Sequence, residues 1–132
     1  MKKCIAVVIV GILFMAITPV FAEAAEPQQR FRHIVVWDFK QGLSEEEKVT
    51  LFDRMKGDLE ALVTVIDGIV ELRVERDTIN PGLNGEGQIV LLGLFESREA
   101  HAAYVPHPRH VEIAAYVVAD IVENRRAANF YE

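Results

Sequence analysis

The segment Phe31-Arg32-His33-Ile34-Val35-Val36-Trp37-Asp38-Phe39 constrains this chain more than any other, because both alternating sets of its residues are largely apolar. In an extended chain Phe31, His33, Val35, Trp37 and Phe39 share one face, and Arg32, Ile34, Val36 and Asp38 share the other. The β-branched and aromatic content predicts a strand. A strand that is apolar on both sides belongs inside a sheet, and something has to cover each face of that sheet.

The remaining elements follow from local pattern. Gln88 to Phe95 is again apolar on both faces and joins the first strand in mid-sheet. Val70, Leu72 and Val74 alternate with Glu71, Arg73 and Glu75, which predicts a strand with one dry and one charged face. Between the first two strands, Ser44-Glu45-Glu46-Glu47 forms a capping box. It predicts a helix from Ser44 to about Val63, with Val49, Phe52, Met55, Leu59 and Leu62 on one apolar stripe. A second helical stretch opens at Ser97-Arg98-Glu99, is interrupted at Pro106 and Pro108, and restarts with Val111, Ala114, Ala115, Val118 and Ile121 on its stripe. Asn80-Pro81-Gly82 through Gly87 predicts a long turn, and Arg125 to Tyr131 a last strand.

The order β-α-β-β-α-β predicts an α+β, ferredoxin-like fold: a four-stranded antiparallel sheet with both helices on one face. One apolar face, carrying either the His33/Trp37 set or the Ile34/Val36 set, is then uncovered. That exposure predicts a homodimer through the sheet face, two sheets packing together as a dimeric α/β barrel.

Charge and the N-terminus limit the function classes. With 14 Lys plus Arg against 20 Asp plus Glu, the chain offers no basic surface to a nucleic acid or an anionic membrane. Residues 1–22 read as a signal peptide: Lys2 and Lys3, an apolar run from Cys4 to Val20, and a small residue at Ala22, with Ala24 and Ala25 as alternative cleavage sites. The run could just span a bilayer, but Pro19 before small residues fits processing better than anchoring. The expected product is exported, periplasmic or secreted, free of the membrane and without cysteine, since Cys4 is the only one. Residues 23–30 predict a flexible lead-in, and residues 31–132 the domain.

The densest chemical feature is Tyr104-Val105-Pro106-His107-Pro108-Arg109-His110. Pro108 can begin a helix, which puts His110 in its first turn, where the dipole keeps an imidazole neutral and fit to act as a base. Tyr104 can donate to a carbonyl or enolate oxygen, so the pair suits proton abstraction next to a carbonyl. The same two residues can equally serve packing and capping. His107 can cap the restarted helix or touch a ligand. His33 lies with Val35 and Trp37 and is either a satisfied core residue or a cavity wall. No metal site is expected, because the proline between His107 and His110 spoils a shared helical face. No cofactor is expected either: the glycines around Asn84 precede a strand and lack a lysine for phosphate.

His33-Ile-Val-Val-Trp-Asp-Phe-Lys, Gly68-Ile-Val-Glu-Leu, Leu94-Phe95-Glu-Ser97 and Tyr104-x-x-His107-Pro108-x-His110-Val111 together resemble the stress-responsive A/B barrel (Dabb) domain, over about Arg32 to Tyr131. The resemblance implies a dimeric α/β barrel. A plant polyketide cyclase of this family performs a cofactor-free aldol cyclisation with the Tyr and last His of this motif, which fall on Tyr104 and His110; its pocket-lining strand His falls on His33. Two readings follow. In the first, an exported homodimer holds a small apolar or phenolic ligand through His33, Val35, Trp37 and His107 without catalysis. In the second, it is a cofactor-independent cyclase or isomerase with His110 as general base and Tyr104 as oxyanion donor.

Overall fold

The computed structural model describes residues 29–77 and 88–132. The expected signal peptide, most of the lead-in and the turn from Asn80 to Gly87 lie outside the described residues. The elements run β1 (Phe31–Phe39), α1 (Glu45–Glu60), a 3-10 turn (Ala61–Thr64), β2 (Ile69–Arg76), β3 (Ile89–Phe95), α2 (Arg98–Tyr104), α3 (Pro108–Tyr116), a π-helical turn (Val117–Ile121) and β4 (Val122–Tyr131). The sheet order is β2-β3-β1-β4 with every neighbouring pair antiparallel, the ferredoxin-like arrangement, and the sheet does not close on itself. No helix among the described residues is long and apolar enough to cross a membrane.

The capping box at Ser44 forms as expected: Ser44 Oγ accepts from the Glu47 amide at 3.2 Å, and Glu47 Oε2 accepts from the Ser44 amide at 2.7 Å. Further along α1, Lys56 and Glu60 reach the edge strand β2. Lys56 Nζ donates to the Val74 carbonyl at 2.7 Å and Glu60 Oε1 accepts from the Val74 amide at 2.9 Å, so one residue's edge hydrogen bonds are satisfied by side chains. Where α2 crosses the start of β2, Gly68 is required twice over. Its φ is +85°, and a Cβ there would lie 2.6 Å from the Ala100 Cβ.

Both helical layers pack on the face of β1 that carries Phe31, Val35, Trp37 and Phe39. The core between them includes Met55, Leu59, Leu62, Val74, Ile89, Phe95 and Ile121, all at most 4% exposed. The uncovered face is therefore the Ile34/Val36 set. Register places Ile34 between Leu92 and Ala128, and Val36 between Val90 and Arg126. Ile34, Val36, Val90 and Leu92 are only half-buried, and Phe130 is exposed.

Three apolar stripes differ from the expected ones. Val70 is exposed and Ile69 takes its place in the core, because a register irregularity between Ile69 and Glu71 gives β2 an extra residue and flips what precedes it. Val49 is exposed on α1, whose buried residues are Met55 and Leu59. On α3 and the π turn the buried stripe is Ile113, Val117 and Ile121, while Val111 and Val118 are exposed. Starting the helix at Pro108 and widening its last turn sets this phase, which a single helical period from Val111 misses.

Candidate functional site

The two prolines shape the site. Pro106 cannot extend α2, and Pro108 starts α3 at its first position, where a missing N–H costs nothing. His107 caps the new helix: its backbone is extended and its Nδ1 accepts from the Arg109 amide at 3.3 Å. His107 therefore sits at the helix start and is not among the residues lining the cavity described below, in contrast to the expected ligand contact. Three residues on, His110 turns back across the break and donates Nδ1–H to the Val105 carbonyl at 2.8 Å. This bond uses a carbonyl freed by the helix end, orients the ring, and leaves Nε2 with its lone pair.

The same turn sets the His110 ring against Tyr104, with centroids 4.1 Å apart. Tyr104 is buried and also packs on Phe95 at 5.1 Å. Beside them His101, one helical turn before Tyr104, stacks near His33 of β1 with centroids 4.5 Å apart. His33 is held from β4, donating Nδ1–H to Asn129 Oδ1 at 2.5 Å, and the two residues face each other in the β1–β4 register.

These side chains line one cavity of about 230 Å³ between the sheet and α2 and α3, with Val35, Trp37 and Leu91 as its apolar floor, Ala114 and Val118 on the α3 side, and Arg125 on β4. The cavity lies inside a single protomer. His33 is thus a cavity wall, one of its two expected places, and the cavity lies under the helices on the covered face of the sheet. The alternating pattern of β1 could not distinguish the two faces.

Burial lowers the pKa of all three imidazoles of the wall. It pushes His101 down to about 4, helped by the charges His33, His110 and Arg125 carry or acquire. His33 and His110 are lowered from 6.5 by the same cause, opposed by their hydrogen bonds to Asn129 and Val105. Burial raises the Tyr104 phenol, which stays protonated and able to donate. The wall thus carries three neutral imidazoles and a phenol. Two buried polar atoms among the described residues have no partner, Trp37 Nε1 and His101 Nε2, and both belong to cavity-lining residues.

The structure brings together Tyr104, His110, His33, Val35 and Trp37. His101, Arg125 and Asn129 join them without having been singled out. His101 lies three residues before Tyr104, a helical spacing visible in the sequence, whereas Arg125 and Asn129 reach the site through strand register alone. No group of three or more His, Cys, Asp or Glu among the described residues is arranged to hold a metal ion.

Comparison with known proteins follows the same outline. The family model described as Stress responsive A/B Barrel Domain matches residues 31–132. The stress-response A/B barrel domain-containing protein HS1 of Arabidopsis thaliana is 29% identical over 90 residues, covering 68% of this chain and 79% of that protein. A Bacteroides fragilis protein described as dimeric, of unknown function and ferredoxin-like fold, superposes with a TM-score of 0.69 at 25% identity, covering 78% of this chain and 96% of the other. A hydroxynitrile lyase from Passiflora edulis shares the fold, with a TM-score of 0.64 at 19% identity over 81% of this chain and 95% of its own.

Proposed function

Because the chain belongs to the stress-responsive A/B barrel domain family, we propose that its cavity is a cofactor-independent acid–base site for a small, mostly apolar or phenolic carbonyl compound, worked as a cyclase or isomerase. The observation that carries this reading is the pairing of Tyr104 and His110 on the cavity wall, 4.1 Å apart, with His110 Nδ1 tied to Val105. A fixed Nδ1–H tautomer leaves Nε2 to take a proton from the carbon next to a carbonyl. The Tyr104 hydroxyl then donates to the oxygen on which negative charge develops, in a dry wall where such a bond counts for most. The imidazolium returns its proton to complete isomerisation or carbon–carbon bond formation, and His33, held by Asn129, positions the substrate. An enzyme with this fold, the hydroxynitrile lyase from Passiflora edulis, is in keeping with catalysis in such a cavity.

The half-buried Ile34, Val36, Val90 and Leu92 and the exposed Phe130 support a homodimer through the open sheet face, and the Bacteroides fragilis relative is described as dimeric. The run from Cys4 to Val20 behind Lys2 and Lys3 supports export to a periplasm or the medium.

The test is hydrogen–deuterium exchange at the acidic carbon of β-dicarbonyl and phenolic ketone probes, followed by NMR. Wild type is expected to accelerate exchange, His110→Ala to lose on the order of 10²–10⁴ of that acceleration, and Tyr104→Phe about 10²–10³, with both variants folded and dimeric. Because the His110 pKa is lowered, the rate should persist below pH 6.5 and fall as the ring protonates at more acid pH. Exchange no faster than in buffer, with ligands that still raise Tm, would instead make the protein a ligand carrier.

A further inference from the structure

The last strand contains a device the proposed proton transfer does not use. Between Val36/Arg126 and Asp38/Glu123 the β1–β4 ladder slips, so that Asn124 and Arg125 together stand opposite Trp37. Asn124 takes the left-handed conformation this requires, with φ at +53°, which Asn tolerates better than most residues. The bulge is clamped from β1. Asp38, only 5% exposed, accepts from Asn124 Nδ2 and from Arg126 Nη2, each at 3.0 Å. The residues on both sides of Arg125 are thereby drawn to one carboxylate on the open face, and Arg125 is left on the opposite face, in the cavity wall.

The buried acid of this corner is thus engaged by Arg126. Arg125 takes part in no ion pair among the described residues, and the cavity lining contains neither Asp nor Glu. Its charge bears on His33, His101, Tyr104 and His110 alike, so it is the one formal charge of a wall that is otherwise neutral at pH 7. Opposite it stands Trp37, whose buried indole N–H has no partner. A cation and a residue with an unused donor, opposite each other across the β1–β4 bulge and both lining the cavity, lack the same thing: an acceptor that carries negative charge.

We infer that the cavity selects small carboxylates, with Arg125 as the residue that determines this specificity, the carboxylate binding at Arg125 and Trp37 while the ligand's other end reaches Tyr104 and His110. The inference rests on the reading of the cavity as a ligand site and adds the charge of what enters it. A carboxylate at Arg125 forms a charge-assisted hydrogen bond that a neutral isostere cannot reproduce, and it offsets a positive charge that works against protonation of His110 during turnover.

Trp37 is the chain's only tryptophan and lines the cavity, so its fluorescence reports occupancy directly. The experiment titrates the full chain with benzoate and with benzamide, its neutral isostere, in wild type, Arg125→Gln, Arg125→Lys and Arg54→Gln; the last makes the same charge change on the exposed side of α1. Wild type should bind benzoate at least about tenfold more tightly than benzamide. Arg125→Gln should bring benzoate down to the benzamide level, Arg125→Lys should keep part of the difference, and Arg54→Gln should keep all of it. Arg125 is exposed on an edge strand, so these variants are expected to fold, which an unchanged Tm without ligand verifies. Equal binding of the two probes in wild type, or undiminished benzoate binding in Arg125→Gln, overturns the inference while leaving the cavity a ligand site. Absence of any fluorescence response to either probe overturns both.

Discussion

The two faces of β1 are built from similar residues and have different fates. Phe31, Val35, Trp37 and Phe39 are at most 8% exposed beneath α1 and α3, whereas Ile34 and Val36, their neighbours in the chain, are only half-buried. The covered face also differs along its own length. Toward the α1 side it is filled solidly by Met55, Leu62, Val74 and Ile89, while under α2 and α3 it opens into the cavity around His33 and Tyr104. An apolar surface thus takes three forms within one small sheet: packed, hollowed into a cavity, or left open. Alternation of residue type is the same in each case, and the difference lies in what the connections place above the strand.

The covered face should be the most sensitive to truncation. Met55→Ala, at a fully buried position, is expected to cost roughly 2–5 kcal/mol in chemical denaturation, with the dimer unaffected. A loss below about 1 kcal/mol would mean that the packed region is as accommodating as the cavity. Next, Leu92→Arg on the open face should leave the protomer folded yet weaken the proposed dimer about 100-fold, some 2.7 kcal/mol, as read by analytical ultracentrifugation. A variant that remains dimeric would remove the open face from the interface; one that unfolds would show that this face stabilises the single chain more than its partial burial implies.

The smallest effect distinguishes the hollow region from the packed one by pH. Buried neutral histidines with lowered pKa values stabilise the fold above about pH 6.5, and that contribution is lost as acid drives their protonation, for His101 on the way to about 4. His33 and His110 act in the same direction, while Glu45, Glu47 and Glu60, lowered below 4.5 by hydrogen bonds from Lys48, Ser44 and Lys56, join only in stronger acid. Tm should therefore drop by a few degrees between pH 7 and 5, and by less in His101→Leu. An equal drop in both would assign the acid sensitivity to groups outside the cavity.

Local signals were legible where local physics governs. The capping box at Ser44, the break at Pro106 and Pro108 and the side-by-side placement of Tyr104 and His110 all arise within a few residues, and each is found as its sequence implies. Positions that depend on register were not. Val70 and Ile69 exchange roles through one extra residue in β2, and Arg125 joins the cavity because Asn124 bulges. The first has no signature in residue type and the second only the tolerance of Asn124 for a positive φ, while a slip of one position costs little in local propensity and reverses every side chain beyond it.

What the amino-acid sequence by itself determined is the ferredoxin-like order of elements, the doubly apolar central strands and the motif that breaks a helix around His107, because periodicity, capping and proline geometry act over a single turn or a few strand residues. Which face of β1 the helices cover, that His107 caps while His101 lines the cavity, and that Arg125 becomes its charge were decided only in the tertiary structure. These depend on contacts between segments nearly a hundred residues apart, such as His33 with Asn129 and Asp38 with Arg126, and packing and register alone establish them.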